Sequence, residues 1–168
     1  VVAQLTMSQG TPVEQTREVV GQIEQAAQRV RIQLDAERID KNSSLFNHIN
    51  TTIGSQPFRR LAAGPMAQDP ATSPGNSHLA EINVELVSTE YRDIPAKRVE
   101  NLWREETGQI SGISSLVFQS SFFSAGEAIN IELSHPDFDN VLSVAEQLKQ
   151  ILRSYRGVSE VDDSFLPG

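Results

Sequence analysis

HLAEINVEL, His78 to Leu86, is the stretch on which the fold turns. Ala80, Ile82, Val84 and Leu86 fall on one side of an extended chain, and Glu81, Asn83 and Glu85 on the other. This period of two marks a strand with one face on a core. Such a strand needs neighbours for its backbone groups and a second layer over its apolar side.

Upstream, Ala3, Leu5 and Met7 alternate with Gln4 and Thr6 and give a first strand. In GTPVEQT, Thr11 is the expected N-cap, Pro12 the first helical residue, and Glu14 the partner in a capping box. Val19, Val20, Ile23, Ala27, Val30 and Leu34 then keep helical spacing to an end near Arg38. A second strand is read over Leu45 to Ile53. The following GSQPFRRLAAGPMAQDPATSPGNS, with four prolines and three glycines, is read as a loop. Downstream of HLAEINVEL, Pro95 opens a second helix with the stripe Val99, Leu102, Trp103 and Ile110, and SGISSLVFQSS is a fourth strand.

The order βαββαβ is the split βαβ, or ferredoxin-like, pattern: an α+β unit with a four-stranded antiparallel sheet and helices on one face. It is expected over residues 1–121. The pattern then restarts over 122–168. Ile129, Ile131 and Leu133 alternate in a fifth strand, and Asp137 and Asp139 begin a third helix. That helix carries Val141, Ala145, Leu148, Leu152 and Tyr155 on one side, with Lys149, Arg153 and Arg156 near its end and Gly157 as the stop. VSEVDDSF would be the last strand. SGISSLVF after the second helix and RGVSEVDD after the third match as repeats, so this second part reads as a half unit, βαβ, of the same kind. The chain is accordingly expected to be a piece of a longer protein, its last strand awaiting a partner.

The 22 Asp and Glu outnumber the 14 Lys and Arg, for a net charge of -8. Nucleic acid, which is bound by neutralising phosphates, is therefore not an expected partner. The absence of cysteine removes disulfide and thiolate chemistry. VVAQLTM shows neither a basic start nor a cleavage site. The uncharged run Thr107 to Gly126 is too rich in Ser, Gln and Gly to cross a bilayer. His48, His78 and His135 are far apart and form no HxxxH or HExxH pair, and no nucleophile elbow, phosphate loop or GxGxxG is present. No metal, cofactor or enzymatic activity is expected.

Two stretches could bind a ligand. In the long loop, Phe58, Arg59 and Arg60, with Met66 further on, offer an aromatic face and cations suited to amphiphilic compounds. In LVFQSSFFSAGE, Phe118, Phe122 and Phe123 cannot all face one core, so they either pack an interface or line a cleft.

The run GEAINIELSHPDFDNVLSVAEQLKQILRSYRGVSEVDDSF resembles the periplasmic porter region of resistance-nodulation-division (RND) efflux transporters. LTMSQGTPVEQTREVVGQIEQ resembles the opening of that family's third porter subdomain, and NSHLAEINVELVSTEYRDIPAKRVENLWREETGQISGISSLVF its second half. The resemblance implies a segment in the periplasm of a proton-driven antiporter of the bacterial inner membrane. Residues 1–121 would be the third porter subdomain and 122–168 the first half of the fourth. It further implies a homotrimeric parent, a periplasmic adaptor and an outer-membrane channel as partners, and organic small molecules as export substrates. By position, the loop from Ser55 to Ser77 corresponds to the family's switch loop, with Phe58, Arg59, Arg60 and Met66 as substrate-facing residues. Phe118, Ser120 and Phe122 fall near the strand that lines the entry cleft. Met7 and Met66 are too few for the converging sulfurs that soft metal ions require, which favours organic cargo. A small-ligand-binding regulatory module of the same fold is the alternative.

Overall fold

Alternation forces β1 (Val2–Met7) to bury one side, and Ala3, Leu5 and Met7 are almost wholly withdrawn from solvent. In the computed structural model, the described residues are 1–41, 43–63, 76–120 and 131–155, with 158, 161 and 163. Packing divides the chain into two units, Val1–Ser124 and Ala125–Gly168.

The first unit is α+β and ferredoxin-like. β1 pairs antiparallel with both β3 (Leu79–Leu86) and β4 (Ile113–Gln119), and β3 pairs antiparallel with β2 (Phe46–Ile53). The strand order is β2-β3-β1-β4. Cross-strand partners share a face. One row therefore runs Thr51, Ile82, Ala3, Phe118 and the adjacent row on the opposite face runs Thr52, Glu81, Gln4, Val117.

The first of these faces is covered by α1 (Val13–Glu37) and α3 (Ala96–Thr107). Val19, Val20, Ile23, Ala27, Val30 and Leu34 of α1, with Val99 and Trp103 of α3, form one core with Ala3, Leu5, Ile82, Val84 and Phe118. Each buried Val, Leu or Ile among them contributes about 1.5–3 kcal/mol. Trp103 is fully buried, and its indole N–H donates to the Ile23 carbonyl at 2.9 Å. Its ring meets Phe118 edge-on at 5.2 Å between centroids. Ile94 and Val99, on either side of the Pro95 cap, are both buried in this core, the arrangement of a hydrophobic staple.

Two local expectations are corrected. Thr11 does not cap α1: Pro12 occupies the N-cap position and no side chain caps the helix. The Thr11 hydroxyl donates instead to the Ser8 carbonyl at 2.6 Å. The helix start is fastened by tertiary bonds, with Thr16 donating to the Ser77 carbonyl at 2.7 Å and Ser77 to the Thr11 carbonyl at 2.8 Å. The second correction concerns the long loop, which opens with a two-turn helix, α2 (Pro57–Ala63).

At the other end of α1, Arg38 is buried and works as a strut. Its Nη1 donates to the Ser43 carbonyl at 2.6 Å and its Nη2 to the Tyr91 carbonyl at 3.0 Å, while Nε lies 3.8 Å from Asp93. The chain leaving α1 and the chain entering α3 are thereby held together.

In the second unit, α4 (Phe138–Ser154) is capped by Asp137, whose carboxylate accepts from the Asp139 N–H at 3.1 Å and the Asn140 amide at 2.9 Å. No residue of α4 is buried. Lys149 pairs with Glu146 at 2.7 Å and Asp163 at 2.8 Å. The fifth strand read over Ile129 to Leu133 is not formed at residues 131–133, which have no ladder partner among the described residues; 129 and 130 lie outside them. Of VSEVDDSF, only Val158, Val161 and Asp163 are described, and none is in a strand.

Candidate functional site

The sheet face opposite α1 and α3 is the polar one, and its centre is Glu81. Alternation along β3 points this side chain away from the core, where a carboxylate would ordinarily meet water. It is nevertheless 5% exposed. The reason is α2, whose first turn lies against it: the Phe58 N–H donates to both Glu81 oxygens, at 2.9 and 3.0 Å. The Arg59 N–H and the Gln4 side chain bond the same carboxylate. Burial pushes the Glu81 carboxyl above the ordinary carboxylate range, and these three donors only partly offset it.

Gln56, one residue before α2, anchors the same segment. It is 1% exposed, and its Nε2 donates to the Leu5 carbonyl at 2.8 Å and the Ala80 carbonyl at 3.4 Å. Its Oε1 is buried with no donor among the described residues. The sheet thus grips the start of α2 at two adjacent points, Gln56 to the backbone and Glu81 to the helix N–H groups.

A second buried carboxylate, Glu100 of α3, lies on the core side. Lys97 reaches it at 2.6 Å, Arg104 at 3.0 Å and the Ser120 hydroxyl at 2.5 Å. Burial alone would raise Glu100, but the bonds from Lys97, Ser120 and Arg104 outweigh it and hold the group below its ordinary range. Arg104 also donates to the Phe118 carbonyl at 3.3 Å and stacks 5.5 Å over the Phe118 ring.

Of the residues proposed from sequence, those described are divided between the two sides of the sheet, Phe58 and Arg59 on the polar face and Phe118 and Ser120 on the helix-covered side. Phe58 is on α2, 5% exposed, with its N–H on the polar face. Arg59 is exposed beside it. Arg60 is in α2, with its side chain outside the described set, and Met66 and Phe122 lie outside the described residues. Phe118 was expected near a cleft but packs on Trp103 in the core, because its register with Ala3 puts it on the helix-covered face. Ser120 is bound to Glu100. His135 is part of the turn before α4, accepting from the Asp137 N–H at 3.0 Å. Among the described residues, no group of three or more His, Asp or Glu is placed to hold a metal ion. No helix among them is long and apolar enough to cross a membrane.

Sequence reasoning missed Glu81, Gln4, Gln56 and Glu100. Glu100 had a signal, since Lys97 and Arg104 stand three residues before and four after it on one helix face. Glu81 had none nearby, its partner Phe58 being 23 residues upstream and Gln4 on another strand. No protein-family profile, curated protein or solved structure matches this chain.

Proposed function

We propose that the chain is a porter module of an RND-type efflux transporter, a non-catalytic part of the path by which organic, amphiphilic compounds are taken up from the periplasm for export. The observation that supports this most is the β2-β3-β1-β4 sheet with α1 and α3 on a single face. It is the architecture the resemblance calls for, in the same order along the chain. The other face is polar, and the segment corresponding by position to a switch loop begins there as α2. Phe58 then has a double part: its backbone fastens the segment to the sheet, and its ring would face substrate only when the segment lifts.

The test begins with the gene on either side of this chain, which should encode transmembrane segments. In cells that depend on the parent transporter, deletion of Phe58, Arg59 and Arg60 should abolish resistance to a subset of amphiphilic compounds while protein levels hold. Unchanged resistance across a broad panel would overturn the assignment of these residues. Absence of flanking transmembrane segments, with ligand-dependent thermal stabilisation of the isolated chain, would favour a regulatory module instead.

A further inference from the structure

We infer that β2 is an interface strand: two copies of the chain pair along it, antiparallel and about a two-fold axis at Asn50, so that two four-stranded sheets become one. The inference stands on the backbone of the first unit and does not depend on the transport reading.

The sheet has two edges, β2 and β4, and they are finished differently. Along an antiparallel ladder, residues bonded to one neighbour alternate with residues whose N–H and C=O point the other way. The Gly54 N–H donates to the Leu79 carbonyl at 2.8 Å. By alternation from that pair, Thr52, Asn50 and His48 are the residues bonded to Glu81, Asn83 and Glu85 of β3. The N–H and C=O groups of Ile49, Thr51 and Ile53 are therefore directed outward, and they have no backbone partner among the described residues. At the β4 edge, by contrast, Arg104 takes the Phe118 carbonyl at 3.3 Å, and Ser120 just beyond is bound to Glu100.

The sequence of β2 adds little protection. FNHINTTI contains no Pro, Lys, Arg, Asp or Glu, and its register shift is confined to the start, between Phe46 and His48. Asn47, Asn50 and Thr51 are exposed. An open edge rich in Ile and Thr is a template for another strand.

Charge selects the occupant. With the axis at Asn50, Ile49 lies opposite the partner's Thr51 and His48 opposite the partner's Thr52, so no ionised group meets its like and β-branched side chains meet on the helix side. A basic or acidic peptide would find no counter-charge on β2, and Glu24 of α1, beside this edge, already accepts from the Thr51 hydroxyl. On the helix side, a groove of about 630 Å³ lined by Gly21, Glu24, Gln28 and Ile49 leaves room for the partner's side chains. Each copy carries a net charge of -8, so the pairing is opposed at long range and should tighten as salt screens that repulsion.

Sedimentation equilibrium of the 168-residue chain tests the pairing, with a monomer–dimer equilibrium that tightens with salt as the expected result. Asn50 would meet itself across the axis, and its exposed side chain can be changed without disturbing the core. Asn50→Lys and Asn50→Asp should each weaken the dimer by about fivefold, and an equal mixture of the two should recover it by pairing Lys with Asp. The chain has no cysteine, so Asn50→Cys gives a single thiol, which should cross-link two copies on mild oxidation because facing Cα atoms of such a pair lie within disulfide reach. A chain that stays monomeric up to about 1 mM would overturn the inference. So would a dimer that salt dissociates, a dimer indifferent to Asn50→Lys, a mixture no tighter than either variant alone, or an Asn50→Cys chain that does not cross-link.

Discussion

Glu81 and Glu100 are both nearly excluded from water, yet they pull the stability of the chain in opposite directions with pH. Glu100 is held below 4.5, so its contribution is present above that value and lost as pH falls through its folded-state value. Glu81 is raised, so its contribution is present in acid and lost as pH rises. Urea unfolding of Glu100→Gln should show a smaller loss of stability than the unmodified chain between pH 7 and about pH 3, and at pH 7 a deficit of roughly 1–2 kcal/mol. An unaltered acid limb would remove Glu100 from the account. Trp103→Phe keeps a ring against Phe118 but deletes the bond to Ile23, and should cost about 1–3 kcal/mol by the same measurement. Trp103 and Val99 were legible as core from helical spacing, because spacing reports the face of the element that carries them. Glu81 was not, since alternation assigned it correctly to the outer face but could not show that something lies on that face.

That something is α2, and its case shows where elements escape a reading of the sequence. β3, α1 and α3 are long enough to repeat their period, and each was read with its true direction of burial. Two turns bounded by Pro57 and a proline- and glycine-rich stretch repeat nothing, so PFRRLAA reads as loop. Its stability comes from partners on β1 and β3, contacts that no local window contains. The α1 N-terminus gives the same lesson at smaller scale: the capping box was plausible locally, but Ser77 supplied the acceptor for Thr16 from across the fold. α1 also carries a removable weakness. Gly21 is in mid-helix, and a Cβ built there meets nothing within 4 Å. Gly21→Ala should therefore stabilise the chain by about 0.5–1 kcal/mol, raising the urea midpoint without altering the slope of the transition. A lowered midpoint would show that the open side of α1 around Glu24, Gln28 and Ile49 needs the bare backbone.

For the molecule as a whole, the first unit is where sequence and structure agree on class, on strand number and on the two long helices, α2 being the exception. The second unit shows α4 where the apolar stripe required it, but its strands depend on pairing that the described residues do not contain. The sheet order also sets a timetable. β1 leaves the ribosome first, yet both of its neighbours lie far along the chain, β3 beginning at Leu79 and β4 at Ile113. At about 5–20 residues per second, the earliest strand waits on the order of ten seconds for a hydrogen-bond partner. Chains arrested before residue 79 clears the exit tunnel should be cut by protease throughout β1, and those extended past Gln119 should resist. Until then Val2 to Met7, the most deeply buried strand of the finished unit, is an apolar stretch in the open, and the unit would be most in need of a chaperone while its first strand waits for β3 and β4.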